Sequence, residues 1–186
     1  MALQVATESG DPVLTTAIID ELGLQFEVDD LTLHITAVNI WAKLVVKKYV
    51  KEELKQKRLQ LLDLIVPLAE RAESEGRYRE AAALYTLASE QVMNDRERRE
   101  DLRKLGLALQ NKAGKHARML KLAEELKLSG EDVPGEDIAE KHLILGAYWC
   151  FELDDWEQGL VHLAASGSEE LSEIAQLDLD SQTNPE

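Results

Sequence analysis

Cysteine is almost missing from this chain. Cys150 is the only one, so no intrachain disulfide can form. It sits between Trp149 and Phe151 in an apolar run, which reads as a buried, unreactive thiol. Proline and glycine number only four and ten, too few to punctuate the many short strands of a sandwich. Positive charge is in the minority: 21 Lys and Arg face 36 Asp and Glu, for a formal net charge of −15. So acidic a surface repels nucleic-acid phosphate and anionic lipid and favours either solubility or a basic partner. No apolar run approaches the roughly 20 residues that span a bilayer. The opening residues, MALQVATESGD, lack the basic-then-apolar layout of a signal peptide. They read as the tail of a helix, with Met1 added to a fragment of a longer protein. Nothing in the sequence names a compartment.

What is present is small and aliphatic. Hydrophobic residues make up 45% of the chain and aromatics only 5%, a bias that suits helix packed on helix. The chain's 186 residues are enough for one domain with a real core. The expectation is an all-α fold of TPR-like antiparallel helical hairpins stacked into one domain over residues 1–180, with 181–186 as a loose tail.

The stretch from Leu64 to Ala88 carries that expectation best. Ala69 and Ala72 share one face of a first helix, and Ala81, Tyr85 and Ala88 one face of a second. Gly76 marks the turn, with Tyr78 behind it as a wedge. Pro67 lies inside the first helix, which must either kink one turn earlier or restart there. Elsewhere, Ala2 to Ser9, Val13 to Phe26, Asn94 or Asp95 to Leu128, Ile138 to Phe151 and Trp156 to Ala165 read as helices. Ser129 to Glu136 is the clearest loop. The helix from Ile138 is apolar nearly all round, which predicts deep burial. A last short helix starts either from a Ser166–Glu169 capping box or from Ser168 as N-cap. Residues 26–36 are ambiguous. FEVDDLTLHIT alternates like a strand hairpin, yet Asp29 or Asp30 could cap a helix, and helix from about Leu31 to Val50 is the preferred reading.

Three segments share a layout: ATESGDPVLTTAII, AESEGRYREAAALY and CFELDDWEQGLVHL. Gly10, Gly76 and Asp154 hold the turn. Pro12, Tyr78 and Trp156 follow two residues later, and Ile19, Tyr85 and Leu163 fill a large position. Thr15 and Gly159 stand where the middle copy has Ala81. The middle copy resembles a tetratricopeptide repeat.

A second resemblance lies in LGAYWCFELDDWEQGLVHLAASGSEELSEIAQLDL. It is similar to the end of a helical module of large multidomain planctomycete proteins. Leu145, Gly146, Tyr148, Cys150, Phe151, Asp155, Trp156, Gly159, Leu160, Leu163, Ala164, Gly167 and Ser168 follow that module's order. IIDELGLQFEVDDLTL resembles an earlier part of it. The resemblance implies an all-α region attached to other domains, with no activity assigned.

Motifs for chemistry are missing. His34, His116, His142 and His162 have no His or Cys at zinc-ligand spacing, and no phosphate loop or nucleophile elbow occurs. No catalytic residue, cofactor or metal ligand is therefore assigned. The expected function is a non-catalytic helical-repeat domain that mediates protein–protein contacts or spaces other domains. A purely architectural spacer, or an enzyme site invisible as a motif, are the alternatives. Two basic clusters run against the acidic trend: Lys47, Lys48, Lys51, Lys55, Lys57 and Arg58, then Lys112, Lys115, Arg118 and Lys121. If an aromatic faces a groove it is Trp41 or Tyr49, so the candidate partner-binding residues are Trp41, Tyr49, Lys48, Lys51 and Lys55. The partner is a protein or peptide, not nucleic acid. Trp149 and Trp156 are expected inside a hairpin contact.

Overall fold

A helix stops where a residue can take a left-handed backbone and satisfy the last carbonyls. Gly76 does this with φ +74°. The amide of Arg77 donates to the Ala72 carbonyl at 2.8 Å and that of Gly76 to Glu73 at 3.0 Å, the paired bonds of a Schellman end. In the computed structural model, residues 2–9, 12–26, 28–48, 51–128 and 135–183 are described. Among them the protein is all-α. The helices are α1 (Ala2–Ser9), α2 (Pro12–Phe26), α3 (Asp30–Lys48), α4 (Lys51–Ser74), α5 (Tyr78–Gln91), α6 (Arg96–Leu128), α7 (Gly135–Leu153), α8 (Trp156–Ala164) and α9 (Glu169–Thr183). Pro67 is inside α4, which runs through it without restarting. The turn at Gly10, most of the loop from Ser129 and the last three residues lie outside the described residues.

The chain divides into two compact units, Met1–Ala113 and Gly114–Glu186. In the first, Leu3, Ile19 and Ala37 bring α1, α2 and α3 together, flanked by Ile18, Leu22 and Leu33. Within the ambiguous segment, Phe26 is the end of α2 and residues 30–36 are the start of α3. Asp29 accepts the amides of Leu31 and Thr32, each at 3.2 Å, and so caps it. The same end is clamped to the α4–α5 turn. Arg71 forks onto both Asp30 oxygens at 2.9 Å, and Arg77 binds Asp29 and the Thr32 hydroxyl. Behind the clamp, Ala69, Ala72, Ala81 and Ala88 have no exposed surface, and Ile65 and Leu84 join them. Small side chains let α4 and α5 approach closely, as expected. Asp95 caps α6 by accepting the Arg98 amide at 2.9 Å. Gly106 continues the small-residue contact: a Cβ there would lie 3.1 Å from Thr86 Oγ1 and 3.2 Å from the Ala82 carbonyl.

In the second unit, α7 and α8 repeat the hairpin with glycine in place of alanine. A Cβ on Gly159 would overlap the Cys150 sulfur and come within 2.8 Å of its amide nitrogen. One on Gly146 would lie 2.7 Å from Leu163 Cγ. Asp154 makes the turn with φ +56°, matching Gly76. Asp155 caps α8 through the Gln158 amide at 3.0 Å. Ala175 of α9 joins Cys150, Leu160 and Leu163 in one cluster. Leu145, Tyr148 and Trp149 pack on Met119, Leu122, Ala123 and Leu126 of α6. The large position of each repeated segment, Ile19, Tyr85 and Leu163, is buried, and so is Thr15.

Two details differ from the sequence reading. Trp156 is 43% exposed and not in the hairpin contact. It lies at the first residue of α8, where the chain has just left the turn. The helix expected to be deeply buried leaves Ile144 and Phe151 exposed, because its close partners cover only part of its circumference. Of the two starts read for the last helix, the Ser166–Glu169 capping box is not the one formed. Ser168 holds the N-cap position, its carbonyl accepting the Ser172 amide at 2.8 Å, while Ser166 Oγ accepts the Ser168 amide at 3.4 Å.

Candidate functional site

A helix C-terminus offers carbonyls without helical partners, and guanidinium groups seek them. α5 ends at Gln91, and three arginines gather around that end. Arg58 of α4 donates from Nη1 to the Glu90 carbonyl at 3.2 Å. Arg99 of α6 donates from Nε to the Val92 carbonyl at 2.9 Å and from Nη2 to that of Met93 at 2.8 Å. Arg103, one turn further along α6, pairs with Glu100 at 3.4 Å. These side chains, with Ser89, Glu90, Val92 and Met93, line an open cleft of about 440 Å³. Arg58 Nε is buried there without a hydrogen-bond partner. The cleft thus combines an apolar lip, Val92 and Met93, with guanidinium donors in a chain of strongly negative net charge.

The residues singled out from sequence are not brought together. Trp41 is half-buried on α3, and its indole N–H donates to the Thr7 carbonyl at 2.7 Å, tying α3 to α1. Lys55 is exposed and lines a separate cavity of about 360 Å³ with Glu53, Gln56 and Leu59. Lys48 closes α3 and Lys51 opens α4. Tyr49 lies outside the described residues. Arg58 belongs to the first basic cluster, whereas Arg99 and Arg103 alternate with acids along the sequence, a pattern typical of a solvated helix face. Their spacing of four, which puts both on one side of a helix, was the available signal.

Other groups with altered acidity serve structure. Asp29 falls from 3.8 to about 2, first through the Thr32 hydroxyl hydrogen bond and, against burial, through Arg77. Burial, then the Asp155 charge, raises the Cys150 thiol, in keeping with an unreactive side chain. Among the described residues no group of three or more His, Cys, Asp or Glu is placed to hold a metal ion. None of their helices is long and apolar enough to cross a membrane. In the second unit Phe151 is 67% exposed and meets Trp156 edge-on, with ring centroids 5.6 Å apart. The Trp156 N–H donates to Asp154 at 2.8 Å. No protein-family model matches the chain, and no curated protein or solved structure matches it.

Proposed function

We propose that this is a non-catalytic helical-hairpin domain that binds another protein, of the TPR-like kind that also occurs as a module in large planctomycete proteins. The observation that carries the reading is the cleft of Arg58, Arg99 and Arg103 at the end of α5. Guanidinium groups grip carboxylates in a planar fork and tolerate desolvation better than lysine. A short apolar lip beside them suits a peptide that presents an acidic side chain next to an aliphatic one. The chain's net charge of −15 disfavours a long acidic partner and favours a short acidic segment seated at these arginines.

The test is a panel of acidic peptides with and without a neighbouring Leu or Met, read by fluorescence anisotropy. Binding is expected to fall as salt rises. It should be lost in Arg103→Glu and weakened in Arg99→Gln, with helix content unchanged. Equal binding by Arg103→Glu and the parent would remove the basis of the reading.

A further inference from the structure

The hairpin of α7 and α8 brings two imidazoles together through their Nδ1 atoms. His142 of α7 and His162 of α8 are both half-buried, and their Nδ1 atoms are 2.9 Å apart. The ring centroids are 5.0 Å apart and the planes inclined by 43°. The two residues are twenty positions apart, so no zinc-like spacing in the sequence announces them. Close packing at Gly146, Gly159 and Leu163 holds their backbones, and the side chains meet without any long loop to order.

We propose that His142 and His162 form a two-histidine clasp for a divalent cation of tetragonal preference, copper(II) above all, with solvent completing its coordination. The separation is that of an N–H···N hydrogen bond, and it already lies within the span that two imidazoles on one ion require. With metal–imidazole bonds of about 2.0–2.1 Å, two ligands at a right angle lie about 2.8–3.0 Å apart, against about 3.3–3.4 Å at a tetrahedral angle. A right-angle ion, the geometry of copper(II) and nickel(II), therefore asks for the smaller spreading of the pair. Without metal the same pair makes one N–H···N hydrogen bond. To bind, the donor imidazole moves its proton from Nδ1 to Nε2, so both Nδ1 lone pairs are free and no net proton is released. Each ring must also tilt until its lone pair points at the ion, a soft rotation about χ2. Lys127 of α6 opposes a cation here, since its charge reaches His162.

Copper(II) chloride titrated at pH 7.5, followed by electron paramagnetic resonance, tests the clasp. The expected result is one ion per chain with an axial spectrum split by two nitrogens. His142→Gln and His162→Gln should each weaken binding by at least about tenfold, since even outer-shell changes cost that much. Lys127→Ala should tighten it. A His142→Gln/His162→Gln double variant that binds as tightly as the parent overturns the proposal. Because the substitutions could disturb the hairpin, nickel(II) broadening of histidine ring resonances is measured on the parent as well. Broadening at His142 and His162 supports the clasp, and broadening confined to His34 or His116 refutes it.

Discussion

Gly159 shows how one missing side chain sets the distance between two helices. Its α-carbon lies so close to Cys150 that any Cβ would overlap the sulfur and press on the backbone nitrogen behind it. The nitrogen cannot move without moving α7. Gly159→Ala should therefore cost about 1–3 kcal/mol or more, read as a fall in the denaturant midpoint at unchanged slope. An unaltered midpoint would mean that the helices sit further apart. The sequence marks this position as a departure from the alanine of the middle hairpin. The physical reason is that here the facing residue is Cys150, larger than alanine, so the second partner shrinks to glycine. Trp156 teaches the converse. Its position two residues past the turn suggests a wedge like Tyr78, yet it stands exposed against Phe151 while Tyr78 is buried. Local spacing assigns the slot, and the neighbouring helix decides whether it is covered.

At the level of the element, caps and turns were the most legible features. Gly76 and Asp154 hold equivalent positions in two hairpins and both take positive φ, as the aligned segments imply. Asp95, Asp155 and Asp29 cap helices in the way short acidic side chains do. Asp29 also accepts from the Thr32 hydroxyl and Arg77, and its acidity is held at about 2 against 3.8. A carboxylate with a depressed value in the folded state stabilises fully above its unfolded value, and that contribution is lost as pH falls through the folded one. Stability should thus decline between about pH 4 and pH 2. Asp29→Asn keeps a capping side chain but not the charge, so its stability should vary less over that interval. A parallel pH profile for the variant would dismiss the ion pair as a contributor. The α4–α5 contact is open to a cruder test. Ala81 has no exposed surface, and Ala81→Trp should overfill the contact and lower stability by about 1–3 kcal/mol or more, visible as a lower melting temperature.

For the molecule as a whole, charge is the property that sequence states most directly. The net −15 is unevenly placed: residues 1–113 carry 16 Lys and Arg against 19 Asp and Glu, residues 114–186 carry 5 against 17, and like charges therefore repel mainly within the second unit. Several ion pairs are exposed, among them Arg103–Glu100 and Lys121–Glu125, and such pairs add little. Screening should relieve more repulsion than it weakens attraction. The melting temperature is expected to rise between low salt and about 0.5 M sodium chloride. A fall would show that the attractive clamp of Asp29, Asp30, Arg71 and Arg77 outweighs the general repulsion.

Sequence alone determined the helical class, because the apolar spacing, the caps and the Ala-rich faces are local signals that each helix carries within itself. It also fixed which alanines are buried at the α4–α5 turn, since turn and contact lie a few residues apart. Tertiary structure alone decided the arginine cleft and the histidine pair. Arg58 and Arg99 come from different helices, and both reach the carbonyls at the end of α5. His142 and His162 meet only because Gly146 and Gly159 let two backbones close. Contacts between residues distant in sequence depend on how near helices approach, and a pattern read along one helix does not contain that distance.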